Sequence, residues 1–387
     1  MNLSAASGGS SVTQPRVALV HDWLNGMRGG ERTLEAICEL FPSATRYSLF
    51  HVPGSVSSLI EESGIRTSFI QKLPLSHRYY RPLLPLFPAA VEQFDLDDFD
   101  LVISTSHCVA KSVVVPGRTR HLCYCFTPMR YAWDQFPAYF GVERVGSFAS
   151  QLFRWGLSAM ARWDTATEHR VDRYVAISQH VADRIHRYYN RDSTVIYPPV
   201  DTIFFTPGQQ PIESYFLVVS ALVPYKHIEI AIRACTIAKV PLHIVGDGPD
   251  RLRLETLAGS NVSFLGTLSN EDVRSQYQRA AAFLFPGNED FGIAPVEAQA
   301  CGRPVIALSA GGALETVIHN KTGILVDEAS DSAFADAITH TLQQGFDETA
   351  IRKHALNYSR DRFQKAILKE ISTLMAPAQG ERHNESA

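Results

Sequence analysis

The pattern of this chain predicts two doubly wound α/β domains, each a parallel sheet wrapped by helices, joined near residue 200. Three observations carry the prediction. From residue 16, short apolar runs rich in β-branched residues alternate with helix-length amphipathic stretches, as parallel strands with crossover helices require. The stretch "IYPPVDTIFFTPG" (196–208) then breaks the alternation with three prolines, a boundary signal. Beyond it the alternation restarts, and 387 residues exceed what one typical core accommodates.

Taken in order, "RVALV" (16–20) reads as a strand, and "ERTLEAICELF" (31–41) has apolar residues at helical spacing. "DLVISTS", "RHLCYCF", "RYVAIS" and "STVIYPP" follow as strands, with helical segments such as "QHVADRIHRYY" between some of them. After the boundary, "YFLVVSA", "LHIVG", "VSFLG", "AAFLFP", "RPVIAL" and "TGILV" are strands. "KHIEIAIRACTIA", "RLRLETLA", "NEDVRSQYQRA" and "ALETVIH" are the helices between them, and residues from 331 onward are helical by pattern. The expected organisation is a tail over 1–14, a first Rossmann-like domain over 15–198 and a second over 199–360. A segment over 361–387 is expected to cross back to the first domain as a helix and end in a polar tail. In such sheets ligands bind outside the carboxyl ends of the strands, so each candidate residue is sorted by the strand end it occupies.

Composition narrows the function. With 45% hydrophobic and 20% charged residues the chain is expected to be an ordinary soluble globular protein. A formal charge of −4 does not suit a nucleic-acid binder. Residues 1–198 hold 20 Lys and Arg against 18 Asp and Glu (net +2), and the remainder 16 against 22 (net −6), so the first half is the one expected to meet an anionic surface. The six cysteines form no CxxC pair and have no histidines at zinc spacing, so buried free thiols are expected, and no metal or cofactor. The opening residues lack an apolar signal core, and no run approaches the length of a membrane span. The expectation is a cytoplasmic protein that at most rests on a membrane.

Four segments carry chemistry. "HDWLNGMRGGERTLE" (21–35) joins the first strand to the first helix; Gly26, Gly29 and Gly30 let the backbone approach a ligand, and the helix N-terminus behind them offers N–H groups to an anion. It lacks the GxGxxG spacing of dinucleotide sites, and as a loop alone it reads equally as a flexible connection. In "SALVPYKHIEIAI" (220–232), Lys226 is expected at the start of a helix, where the dipole opposes a cation unless an anion pairs with it; a solvated surface lysine is the even alternative. "GNEDFGIAPVEAQACGRPVIA" (287–307) places Glu289 on a loop at a carboxyl end. With Pro295 suited to a first turn and Gly302 to a C-cap, a helix of about 295–301 follows, with Glu297 in its first turn facing the same cleft. Fixed carboxylates accept hydrogen bonds from sugar hydroxyls, and a lysine with backbone N–H groups holds phosphate, which together describe a nucleotide-sugar site. By contrast "FDLDDFD" (94–100), though it contains D-x-D twice, precedes a strand and so lies at the amino end, away from any ligand.

"EDFGIAPVE" resembles the E-x7-E motif of the retaining family 4 glycosyltransferases, which have the GT-B fold of two Rossmann-like domains facing a cleft. The resemblance continues through "SHCVAKS", "TPMRYAWD", "VIYPPVDT", "VVSALVPYK", "VGDGP" and "GGALETV", most of the chain in order. The subgroup most resembled is the bacterial O-antigen and exopolysaccharide mannosyltransferases, many of which use GDP-mannose. The resemblance implies that Glu289 holds hydroxyls of the transferred sugar and Glu297 those of the ribose. It implies further that Lys226, the backbone of Phe291, Gly292 and Ile293, and Gly246 serve the donor, with Gly29 and Gly30 approaching its phosphates from the first domain. It also implies a lipid-linked or oligosaccharide acceptor, and retention by attack on the face the nucleotide leaves.

Two positions depart from the family pattern. Ala221 stands where relatives carry an arginine five residues before the lysine, and Phe126 where they carry a histidine. His21, Asp22, His107 and Arg130 are expected near carboxyl strand ends as auxiliary or acceptor groups, although a structural hydrogen bond is the simpler role for each. The competing class is a catalytically impaired nucleotide-sugar binder or partner subunit in a polysaccharide assembly complex. A glycoside hydrolase, defined by the spatial separation of two carboxylates, is disfavoured by Lys226 and the glycine loop. For the membrane, "QKLPLSHRYYRPLLPLFP" (71–88) and the stripe Phe148, Leu152, Trp155, Ala159, Trp163 fit an interfacial anchor; a core-facing helix fits the stripe as well.

Overall fold

The structure, a computed structural model, describes residues 15–74, 80–129, 133 and 147–376, with backbone alone for 147–155. Among them, seven parallel strands build the first sheet: β1 (Val17–His21), β2 (Thr45–Ser48), β3 (Ile65–Thr67), β4 (Leu101–Ser106), β5 (Arg120–Cys125), β6 (Arg173–Ala176) and β7 (Ser193–Val195), in the order β3-β2-β1-β4-β5-β6-β7. The second sheet holds β8 (Phe216–Val219), β9 (Leu242–Val245), β10 (Val262–Gly266), β11 (Ala282–Phe285), β12 (Val305–Leu308) and β13 (Gly323–Val326), ordered β10-β9-β8-β11-β12-β13. The fold is therefore the predicted pair of Rossmann-like domains of the GT-B class. Each strand order reverses direction once, between β1 and β4 and between β8 and β11. Those reversals open the crevices where α/β sheets bind ligands.

The central strands are buried along their whole length because helices cover both faces of the sheet; all five residues of β1 and all six of β4 are buried, the polar His21, Ser104, Thr105 and Ser106 at their carboxyl ends included. The helix Gly29–Leu40 packs Leu34, Ile37 and Cys38 inward, and Gln179–Tyr189 packs Val181, Ala182 and Ile185. Pattern reading missed β2 and β3. Neither is an apolar run: β2 carries Arg46, almost fully buried, whose guanidinium donates to the carbonyls of Ala44 and Leu59 at 3.1 and 3.2 Å, and β3 has three residues.

The chain crosses between the domains twice. The first crossing is the proline-rich segment after β7; in the second, the helix Arg360–Met375 returns to the first domain. Arg360 pairs with Glu35 and Glu39 at 2.7 and 2.8 Å, Gln364 donates to the carbonyl of Ala36 at 3.0 Å, and Phe363 sets its ring 5.4 Å from Tyr124. The crossings lie side by side, with the Val200 N–H donating to the Tyr358 carbonyl at 2.8 Å.

Elsewhere, the acidic stretch 94–100 sits before β4 at the amino end, where Asp100 accepts from the Arg16 N–H at 2.8 Å. All six cysteines are free and buried. The helix Ser147–Ala166 turns Leu157 and Met160 into the core and leaves Ala159 exposed. Trp163 is partly buried, its indole donating to Glu92 at 3.2 Å. The core face is thus offset from the stripe proposed as an anchor; the side chains of Phe148, Leu152 and Trp155 lie outside the described residues.

Candidate functional site

The first crevice is set by the loop after β1. The Asp22 carboxylate accepts the backbone N–H groups of His107, Cys108, Val109 and Ala110 at 2.7, 2.9, 2.7 and 2.8 Å, and His107 Nδ1 lies 3.0 Å away. Burial alone pushes this carboxyl up, but the imidazole and N–H of His107 outweigh it and hold the pKa at about 2. Asp22 therefore ties the loop after β4 to β1 and does not line a cavity; the auxiliary role expected of it is structural. It fixes His107, which packs edge-on to Trp23 with centroids 4.4 Å apart and does line the cavity. His21 is buried as well, its Nδ1 2.7 Å from Thr105 Oγ1, and burial lowers its pKa. Its Nε2 has no hydrogen-bond partner.

From the second domain, Lys226 closes a 3₁₀ turn, Pro224–Lys226, and the helix begins only at Ile228, after His227 in a left-handed conformation (φ 51°). The expected position at the helix start is thus two residues early, because the turn intervenes. Lys226 forms an ion pair with Glu289, on the loop after β11. Gly311 and Gly312 hold that loop: the Gly312 N–H donates to the Glu289 carbonyl at 2.8 Å, and a Cβ on Gly312 would sit 2.2 Å from Phe291 Cα. Gly292, at φ 89°, N-caps the helix Ile293–Ala300, and no side chain caps that terminus.

These parts meet in a cavity of about 490 Å³ between the two domains, each wall at a sheet reversal. His21, His107, Phe126, Gly29 and Gly30 line it from the first domain. Ala221, Lys226, Glu289 and the backbone of Phe291, Gly292 and Ile293 line it from the second. The domains touch here, since a Cβ on Gly29 would lie 2.6 Å from Ile293 Cδ1; within the first domain, one on Gly30 would lie 3.5 Å from the Phe126 ring. Around the rim, Arg184 pairs with Asp290 at 2.9 Å. Glu315 accepts from the N–H groups of Gln179 and His180 at 2.8 and 3.2 Å, a carboxylate on a helix N-terminus where the dipole favours it.

Two predicted donor residues stand elsewhere. Glu297 is the fifth residue of its helix, not in its first turn, because the helix starts before Pro295. Its side chain therefore turns away from Glu289 into an adjoining cavity of about 360 Å³, with Ile293 shared between the two. There it accepts from Arg32 at 3.0 Å and from the Tyr277 hydroxyl at 3.1 Å. Burial raises its pKa against the lowering effect of Arg32 and Tyr277. Gly246 lines neither cavity; at φ 126°, with a Cβ position 1.9 Å from the Ser220 carbonyl oxygen, it lets β9 end against the turn after β8. Arg130 lies outside the described residues.

Sequence reading passed over Arg28 and Arg32, although both flank the glycine pair, and it had no signal for Tyr277, whose partner is twenty residues away. Chemically, the main cavity offers a lysine and an uncapped helix N-terminus to an anion, and a carboxylate to hydroxyls.

Residues 27–204 match the family described as Glycosyltransferase Family 4. Residues 200–361 match Glycosyl transferases group 1. Among relatives, the GDP-mannose-dependent alpha-mannosyltransferase of Mycolicibacterium smegmatis is 31% identical over 218 residues, 52% of this chain and 56% of that protein. A D-inositol 3-phosphate glycosyltransferase of Mycobacteroides abscessus is 29% identical over 53% of this chain and 52% of its own length. The D-rhamnosyltransferase WbpZ of Pseudomonas aeruginosa is 30% identical over 44% and 50%. The chain thus spans about half the length of the relatives it matches. Among solved structures, Anabaena HepE in complex with UDP and glucose superposes with a TM-score of 0.69 at 18% identity, covering 93% of this chain and all of that one. Sucrose-phosphate synthase from Thermosynechococcus elongatus gives 0.65 at 19%, covering 93% and 98%.

Proposed function

The chain belongs to the family 4 glycosyltransferases of the GT-B fold, and from that premise we propose that it moves a sugar from a nucleotide-sugar donor with retention of configuration. Mannose from GDP-mannose is the proposed donor group, and a lipid-linked or growing polysaccharide the acceptor. One observation carries the reading: Lys226 and Glu289 meet on the wall of a cavity bounded by both sheet reversals.

In this reading the donor diphosphate lies against Lys226 and the open N–H groups at Gly292 and Ile293, and Glu289 turns to hydroxyls of the sugar. Charge that gathers on the departing diphosphate is stabilised by groups already in place, the term that weighs most in catalysis of this kind. The acceptor attacks from the same face, through an oxocarbenium-like state. Glu297, one partition away, takes the ribose hydroxyls once Arg32 yields its place. The mannosyltransferase at 31% identity supports GDP-mannose, whereas the HepE structures hold UDP and UDP-glucose, so the donor is the first thing to test.

The test is nucleotide release by the purified chain from GDP-mannose, UDP-glucose and other nucleotide sugars, with and without membrane lipid extract. Release from GDP-mannose alone, lost in Glu289→Ala, supports the full proposal; release from another donor corrects the sugar. A second reading, a binder with impaired turnover, has Ala221 and Phe126 in its favour, since alanine and phenylalanine supply none of the hydrogen bonds of arginine and histidine. Binding without release from any donor would select it. Residence at the cytoplasmic face of a membrane is proposed from the acceptor. No helix among the described residues is long and apolar enough to cross one.

A further inference from the structure

We infer that Arg28 supplies, from the opposite domain, a guanidinium to the donor's diphosphate site, where Ala221 on the facing wall offers none. The inference rests on the nucleotide-sugar reading and assigns a residue within it.

Arg28 lines the same cavity as Ala221, Lys226 and Glu289. Its guanidinium has one hydrogen-bond partner among the described residues, the neutral Asn25 Oδ1 at 3.1 Å, and no carboxylate. The other arginines at the domain boundary are committed: Arg32 to Glu297, Arg184 to Asp290, Arg360 to Glu35 and Glu39. Lys226, the other cation on the cavity, is taken by Glu289. Glu31, on the same cavity, accepts from the Arg28 backbone N–H at 3.0 Å and leaves the guanidinium itself without a carboxylate among the described residues, a group held ready for an anion.

Its location is electrostatically specific. Arg28 is the N-cap residue of the helix Gly29–Leu40; Glu31 in the first turn meets its backbone N–H at 3.0 Å, while its guanidinium stands at a helix end where the dipole disfavours a cation unless an anion pairs with it. The residue beside it, Gly29, is in contact distance of Ile293, first residue of the helix that no side chain caps. Two helix N-termini, one from each domain, thus converge beside Arg28 and Lys226. Ala221, exposed on the facing wall, leaves the space that a long side chain from the other domain can enter. A guanidinium there grips two phosphate oxygens at once, which a lysine does not. Because it comes from the first domain, it reaches the diphosphate only when the cleft is closed.

The experiment is titration calorimetry on the full chain with GDP, UDP and the two parent nucleosides, for the wild type, Arg28→Ala, Arg28→Lys, Lys226→Ala and Arg28→Ala with Ala221→Arg. If Arg28 holds the diphosphate, Arg28→Ala weakens the bound diphosphate roughly 10- to 100-fold, the loss expected for a charge-assisted hydrogen bond. The nucleoside should bind unchanged, Arg28→Lys should recover part of the affinity, and adding Ala221→Arg should recover most of it. A diphosphate that binds the wild type, depends on Lys226 and is indifferent to Arg28→Ala overturns this inference and leaves the donor reading intact. Failure of the wild type to bind either diphosphate overturns both. Thermal melts of each variant establish that the exposed Arg28 has been removed without unfolding the chain.

Discussion

Lys226 and Glu289 come from loops on two neighbouring strands, β8 and β11, and are joined as an ion pair on the wall of the interdomain cavity. The pair holds each charge for a ligand that needs both: in the proposed reaction a diphosphate takes the lysine and sugar hydroxyls take the carboxylate. Such a pair contributes little to stability, because two partly hydrated charges in contact gain only about 1 kcal/mol or less. Lys226→Ala and Glu289→Ala are therefore expected to melt within a few degrees of the wild type while nucleotide release falls roughly 100- to 1,000-fold. A melt that collapses along with activity would assign the pair to the fold.

Asp22 is expected to behave in the opposite way. Removing a carboxylate that satisfies four buried N–H groups leaves them orphaned, so Asp22→Ala should cost about 3 kcal/mol or more in a urea titration. Its pKa is lowered in the fold, so its contribution is fully present above the unfolded value of 3.8 and is lost as pH falls through about 2. The wild type should lose stability across that window, and Asp22→Asn should show a shallower slope. Equal slopes would mean that the carboxyl is not bound as described.

For Gly246, substitution should injure the fold and not the affinity for donor. An alanine there must place its Cβ against the Ser220 carbonyl while holding φ at 126°. Gly246→Ala is expected to cost about 3 kcal/mol or more, with the donor KM of any remaining folded enzyme unchanged. A raised KM at unchanged stability would return Gly246 to the donor site.

Closure of the cleft can be tested at Gly29. The first atom of any side chain at this position meets the tip of Ile293, so Gly29→Val should hold the domains apart. Small-angle scattering is expected to show a larger radius of gyration, with kcat/KM reduced and melting little affected. Pairing it with Ile293→Ala, which removes the obstructing tip, should restore the compact form. If the double variant stays open, the contact at Gly29 is not what limits approach.

The architecture was legible because both sheets are parallel and covered on each side: their central strands are apolar runs, and the segment between the domains is marked by prolines. What escaped reading were elements whose stability comes from polar contacts. β2 is held as a strand by pairing with β1 and β3, and its Arg46 can be buried there because it finds carbonyls, a fact absent from any hydrophobic pattern. Within the site, strand ends alone placed Glu289 and Lys226 on loops at the carboxyl side, while their pairing with each other exists only in the fold. Glu297 was misplaced for a rotational reason: a helix that begins at Ile293 and not at Pro295 turns each later residue by two positions, enough to aim the carboxylate at Tyr277 and away from its neighbour. Arg28 was in plain view, but that its guanidinium meets only a neutral amide among the described residues is visible in three dimensions alone.

The side-by-side crossing of the chain at Val200 and Tyr358 limits how the molecule can move. Two connectors bonded along their backbones resist shear and twist, and leave rotation about their common line, so the halves open as a jaw with its greatest travel at the mouth.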